Sequence, residues 1–250
     1  MNAEIVVVTA AYGQQQVAAL GGQQALLPLI QQAGADGVEI RRELFDAATL
    51  ANLPALAHAI QQHQLRASYS VPDTLFCDDG ALNPQLENYL KEAQQLNAQR
   101  LKLSLGGFNG ELYGADLRAF SERYPLELAV ENDQTVNGKL APTLHFFEAA
   151  ERESLPVVMT FDMGNWLWTQ ENAQDAAAML GRFVRYIHVK AAEPHGDSYR
   201  AVALDEAKKD DWRQLLQQLP DDAPRGIEFP LEGEDLLAVT RHYVSLLRTR

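Results

Sequence analysis

Four short stretches each carry one side chain able to bind a metal ion or move a proton. Leu128-Ala129-Val130-Glu131, Met159-Thr160-Phe161-Asp162 and Gly226-Ile227-Glu228-Phe229 each hold one carboxylate. Tyr186-Ile187-His188-Val189-Lys190 holds an imidazole, followed two residues on by an ammonium. These stretches lack a helical period and read as short buried strands. In the last of them Ile187 and Val189 share one face, while Tyr186, His188 and Lys190 share the other. Two Glu, one Asp and one His on four successive strands form an oxygen-rich donor set with one nitrogen, which suits a hard divalent cation. Each residue alone is better explained by an internal salt bridge or a capped loop. One donor per successive strand at matching depth is what a shared centre would require.

The elements that must position these residues repeat along the chain. Eight strand-like stretches begin near Ile5, Gly37, Arg66, Arg100, Glu127, Pro156, Val184 and Gly226, and each is followed by a helix-like one. Strict alternation of strand and helix predicts a parallel sheet. Eight units across residues 1–250 predict a single (β/α)8 TIM barrel domain. A doubly wound open sheet is the competing topology, but no glycine-rich dinucleotide turn follows the first strand. Pro54 falls in the first turn of its helix, Asp210 or Asp211 caps the seventh, and Glu234-Asp235 starts the eighth. Residues 191–210 read as a long loop.

Parity within the strands sorts side chains between the helices and the barrel axis. Val38, Ile40, Leu101, Leu103 and Leu105 belong against the helices. Glu39, Arg41, Arg66, Lys102, Glu131, Asp162, His188, Lys190 and Glu228 then face the axis, where unpaired charge is costly and calls for partners or a metal. Glu131, Asp162, His188 and Glu228 sit near the C-terminal ends of their strands, the end where barrel active sites occur.

Composition narrows the function classes. A formal net charge of −13 argues against general binding of phosphate backbones, so no nucleic-acid partner is expected. Cys77 is the only cysteine, so no intrachain disulfide forms. Ile5 to Val8 is far too short for a signal peptide or membrane span. A cytoplasmic protein with no membrane partner is expected, with a homo-oligomer left open.

The motifs Val130-Glu131-Asn132, Phe161-Asp162-Met163-Gly164-Asn165, His188-Val189-Lys190 and Ile227-Glu228, together with Ala35-Asp36-Gly37-Val38-Glu39-Ile40-Arg41, resemble the xylose isomerase-like superfamily of barrels. The resemblance covers the whole chain and is closest to the sugar phosphate isomerase/epimerase group, which includes ketose 3-epimerases and hydroxypyruvate isomerase. It implies one divalent metal ion (Mn2+, Mg2+ or Co2+, with Zn2+ possible) on Glu131, Asp162, His188 and Glu228. It also implies that Glu131 and Glu228 double as the catalytic acid/base pair. Two positions depart from the family pattern. Asn165 stands where a histidine is common, and Ala191-Ala192 where an acidic residue often follows His-Val-Lys. Asn165 keeps the ability to hydrogen-bond a sugar hydroxyl but is a poor transition-metal ligand. The zinc apurinic endonucleases are disfavoured, because Ser68, Ser70 and Ser104 stand where further histidines are needed.

Other residues complete the expected site. Lys190 either neutralises developing oxyanion charge or pairs with a ligand carboxylate. Arg41, at its strand end, is read as a substrate contact, and Glu39 and Lys102 as an internal charge network. Trp166, four residues after Asp162, is the aromatic best placed to stack on a sugar ring. Gly106-Gly107 could offer backbone N–H groups to a phosphate, and His195 reads as a surface residue. These features predict a metal-dependent isomerase or epimerase acting on a small sugar, sugar acid or polyol through an enediolate. A metal-dependent dehydratase of a cyclitol or keto-acid, and a non-catalytic sugar-binding barrel, are the alternatives.

Overall fold

A computed structural model describes residues 3–207 and 211–249. Strand β1 (Ile5–Val8) is a run of Ile and Val buried at every position. Branched side chains of this kind suit a strand covered on both faces. It is followed by β2 (Gly37–Arg41), β3 (Arg66–Phe76), β4 (Ala98–Gly106), β5 (Glu127–Glu131), β6 (Val157–Asp162) and β7 (Val184–Val189). After an antiparallel hairpin of β8 (Ala191–His195) and β9 (Ser198–Val202), β10 (Arg225–Ile227) returns to the barrel. Eight strands close in the order β1-β10-β7-β6-β5-β4-β3-β2. The (β/α)8 barrel expected from the alternation is therefore present.

Helices pack their apolar stripes on the outside of this ring. Leu53–Gln62 buries Leu53, Leu56 and Ile60, and Leu86–Gln95 buries Leu86, Tyr89, Leu90 and Ala93. Both sets follow the three- and four-residue spacing of one helix face. Pro54 lies in the first turn of its helix, where a missing N–H leaves no bond unmade. Asp235 accepts from the Ala238 N–H at 2.9 Å and starts the last helix, Leu236–Arg248. Asp211 opens the helix Asp211–Leu216, and Asp210 lies outside the described residues. Among the described residues no helix is long and apolar enough to cross a membrane.

Four strands differ from expectation. β3 runs on to Phe76 after a register shift between Ser70 and Thr74. Pro72 falls inside that shift, where it has no N–H to give to the ladder. Part of the expected loop is the β8–β9 hairpin, turned at Gly196, whose φ of 59° suits glycine. β10 is only three residues long, so Glu228 lies one residue past its end. The Glu228 N–H still donates to the Val189 carbonyl at 3.1 Å, which fixes that residue beside β7.

The parity expectation holds for most of the axis. Val38, Ile40, Leu101 and Leu103 are fully buried in the apolar core, while Glu39, Lys102, Asp162 and His188 are buried polar residues. Arg66 is a correction. It is exposed at the N-terminal start of β3 and pairs with Glu4 at 2.9 Å, because the first residue of a barrel strand opens on solvent. Arg100 is buried at this end, as is Arg225, with the Arg100 guanidinium 4.6 Å over the Tyr186 ring and in an ion pair to Glu127.

Gly226 allows Tyr186 and His188 of β7 to crowd against β10. A Cβ at Gly226 would meet the Tyr186 Oη at 2.5 Å and the His188 Cδ2 at 3.1 Å. Overpacking at this place should make Gly226→Ala less stable by roughly 1–3 kcal/mol. Urea midpoints of the two proteins would show it, and an unchanged midpoint would mean that Tyr186 has free space to move into.

Candidate active site

Each of the four candidate ligands has one atom anchored and another turned to a common centre. His188 is fully buried, and its Nε2 lies 2.8 Å from Glu39 Oε2. Glu39 also has no exposed surface, so this contact fixes the ring with Nδ1 facing away from it. Glu131 gives Oε2 to the Lys102 ammonium. Asp162 Oδ1 accepts the backbone N–H groups of Gly164 and Asn165 at 2.8 and 2.9 Å. Glu228 Oε1 accepts from Arg41 at 2.8 Å.

The remaining atoms converge. His188 Nδ1 lies 2.6 Å from Glu131 Oε1 and 3.2 Å from Glu228 Oε2. Ligand atoms of Glu131, Asp162, His188 and Glu228 all fall within 4.8 Å of one another. Glu131 Oε1, His188 Nδ1 and Glu228 Oε2 are buried without an aligned hydrogen bond and are held by ion pairs with one another and with Lys190. Three carboxylates and one imidazole, each held from behind and each with a donor atom turned inward, fit a single divalent ion.

Without such an ion the centre is a buried charge network. Burial opposes charge on every member, and opposite charges overcome it at most of them. Lys102 and His188 hold Glu131 down at about 2 despite its burial. Burial likewise works against charge on His188, yet the carboxylates of Glu228, Glu39 and Glu131 hold it well above the usual imidazole range. Glu228 is kept well below the usual carboxylate range, against burial, by His188, Lys190 and Arg41. Asp162 is the exception: burial and the charges of Glu228 and Glu131 push it up to about 7, against the pull of Lys190.

The residues expected to meet substrate fare differently. Lys190 lies in the centre, with Nζ 2.8 Å from both Asp162 Oδ2 and Glu228 Oε2. Arg41 is engaged by Glu228 and Glu43, both at 2.8 Å, so it orients a candidate ligand instead of standing free for substrate. Asn165 is a correction. Its Nδ2 donates to the Asn132 carbonyl, and its Oδ1 accepts from Gln134 and Lys190, so both polar atoms are held by the protein and only one N–H of the amide is left unused. Trp166 is another. It is wholly buried and packs on Phe161 with ring centroids 5.4 Å apart, so it offers no face to a ligand. Gly106 and Gly107 are needed for close approach of the β3 loop, with a Cβ at Gly106 falling 2.0 Å from the Phe76 carbonyl oxygen. The Gly107 N–H is spent on that same carbonyl.

Two further residues build the site. Glu39 belongs to the expected charge network, but its direct contact with His188 does not follow from strand parity. Asn132 joins two strand ends: its Nδ2 donates to the Asp162 carbonyl at 3.0 Å and its Oδ1 accepts the Asp162 N–H at 2.9 Å. The signal in the sequence is an amide directly after a ligand carboxylate at a strand terminus.

Removing Lys102 would strip Glu131 of its outer partner. Lys102→Met is expected to cost roughly 3–5 kcal/mol at neutral pH, the scale for breaking a buried pair. Glu131 sits below its ordinary value in the folded protein, so its contribution is present above about pH 4.5 and lost as pH falls through about 2. The gap in stability between wild type and variant should therefore narrow over that window in chemical denaturation. A gap that stayed constant with pH would contradict the pairing.

No protein-family model and no curated relative matches the chain. Solved structures do. A xylose isomerase domain containing protein from Salmonella typhimurium superposes with a TM-score of 0.70 at 14% identity, covering 99% of each chain. A probable 3-DHS dehydratase involved in petrobactin synthesis from Bacillus anthracis gives 0.68 at 13% identity, again covering 99% of each. A D-allulose 3-epimerase from Methylomonas sp., solved with D-allulose, gives 0.66 at 13% identity over 100% of this chain and 98% of the other. Likeness along the whole length, in agreement with the closed ring of eight parallel strands, shows that the chain shares the (β/α)8 barrel fold of these structures.

Proposed function

We propose that the chain is a metal-dependent isomerase or epimerase of a small sugar, sugar acid or polyol, with Glu131 and Glu228 as its proton carriers. The observation that carries this reading is the convergence of four anchored ligands at the C-terminal end of the barrel. A divalent ion there, with Mn2+ or Mg2+ best matched to an oxygen-rich set, would polarise a substrate carbonyl and acidify the neighbouring C–H. Glu131 and Glu228 approach the centre from β5 and from the end of β10, with β6 and β7 between them in the ring. Two carboxylates so separated can reach opposite faces of a planar substrate carbon, one removing a proton and the other returning it. Asp162 and His188 are buried more deeply and serve as ligands. Glu39 and Lys102 hold His188 and Glu131 in place, and Asn132 holds the backbone of Asp162.

A dehydratase is the second reading, favoured by one specific observation. The barrel superposes on the probable dehydratase as well as on the allulose epimerase. Both reactions begin with removal of a proton next to a carbonyl, and they part at the loss of a hydroxyl. Incubation with ketoses, keto-acids and cyclitols in deuterated water with Mn2+ would expose either one. Deuterium at the carbon beside the carbonyl marks proton abstraction. A product that differs from its substrate in mass only by the incorporated deuterium marks an isomerase, and loss of one water marks a dehydratase. No exchange across the panel would count against both.

The roles of the two glutamates give a sharper outcome. Glu131→Gln and Glu228→Gln keep an oxygen donor but cannot carry a proton. Each should retain much of the metal binding and lose turnover by roughly a hundredfold or more, the scale of general acid–base catalysis. Deuterium exchange from a pair of epimers should become one-sided, with opposite preference in the two variants. Equal residual exchange from both epimers in both variants would rule out the two-carboxylate assignment.

A further inference from the structure

We propose that Lys190 is a tethered cation that competes with a divalent ion for the centre of this site, and that Asn165 receives its ammonium when the ion enters. The proposal rests on the metal-binding reading above. Lys190 Nζ contacts Asp162 Oδ2 and Glu228 Oε2, both at 2.8 Å. The other oxygen of each carboxylate is already engaged, by backbone N–H groups in Asp162 and by Arg41 in Glu228. The lysine therefore holds the two oxygens that an ion would need. An ammonium and a divalent ion cannot share them, because like charges at such distances in a buried site repel strongly.

The placement of the ammonium is built into the backbone. A Cβ at Gly164 would lie 2.7 Å from both Cγ and Cδ of Lys190, so the lysine stem runs through space that only glycine leaves open. Gly164 and Asn165 together form the turn whose N–H groups hold Asp162 Oδ1. One short segment thus fixes the ligand, the stem of its competitor and the alternative acceptor. Asn165 Oδ1 lies 3.3 Å from Nζ, while its Nδ2 is committed to the Asn132 carbonyl, so the oxygen faces the lysine. A carbonyl oxygen at this place can accept the displaced ammonium, whereas a protonated imidazole there would repel it.

Lys102 supplies the control. It is also a buried ammonium on a candidate ligand, but it contacts the outer oxygen of Glu131, and His188 lies against the inner one. Removing either charge relieves long-range repulsion of an incoming cation. Only removal of Lys190 also frees donor atoms. Mn2+ affinity should be measured by titration calorimetry on wild type, Lys190→Gln and Lys102→Gln at one pH. Lys190→Gln is expected to bind roughly tenfold or more tightly than wild type, and Lys102→Gln to gain only the smaller part that comes from relieved repulsion. Equal tightening in both variants, or no tightening in Lys190→Gln, would overturn the proposal while leaving the metal site intact. No binding by any of the three proteins would remove the metal reading together with it. A crystal structure of wild type soaked in Mg2+ decides the matter without a variant. Nζ should then lie off Asp162 Oδ2 and on Asn165 Oδ1; an ion bound with Nζ still on Asp162 and Glu228 would refute the displacement.

Discussion

Burying carboxylates on the axis of a barrel is possible only if something cationic is buried with them. Glu39, Glu131, Asp162 and Glu228 converge there, and Arg41, Lys102, His188 and Lys190 answer them within one connected network. Unpaired, any one of these charges would be strongly destabilising. Pairing has a structural consequence beyond neutrality. Each candidate ligand is gripped on its outer side, so its inner atom cannot turn away from the centre. The site's geometry is therefore a product of its electrostatics, and the glycine at 226 and the amide of Asn132 keep the strands that carry it in place.

The barrel supplies the rest. Parallel strands bring their C-terminal ends to one rim, and alternate residues of each strand to one axis. Glu131 and Asp162 are the last residues of β5 and β6, His188 is next to last in β7, and Glu228 follows β10 directly. The register staggers them, with Glu131 opposite Thr160, Asp162 opposite His188 and His188 opposite Gly226, and the tilt of the barrel strands offsets that stagger. The chemistry open to the site is then set by which outer partners hold each ligand. Lys190 stands apart because it grips two ligands from the inner side.

Much of this arrangement is legible in the sequence, and the reason is periodicity. Strand parity places Glu39, Lys102, Glu131, Asp162 and His188 on the axis, and the β/α alternation places the candidate ligands at the C-terminal rim. What is not legible depends on distance and not on pattern. Trp166 follows the Asp162 turn closely, yet the short helix Asn165–Trp168 folds its ring down onto Phe161. Asn165 reads as a hydroxyl donor or acceptor until its partners Asn132, Gln134 and Lys190 are seen to hold both its polar atoms. Arg66 shares its parity with the axis but starts its strand, where solvent reaches it. The β8–β9 hairpin is hidden by Glu193, Pro194 and His195, which carry no apolar alternation.

The central claim is that Glu131, Asp162, His188 and Glu228 form one metal centre, and metal content tests it most directly. Wild type loaded with Mn2+ and freed of excess should hold about one ion per chain, as a single four-residue site requires. Asp162→Ala and His188→Ala should each hold far less while keeping their far-ultraviolet circular dichroism, since Phe161, Ile187 and Val189 still pack the same strands. Near-zero metal in wild type, about three ions per chain, or full occupancy in both variants would contradict the account.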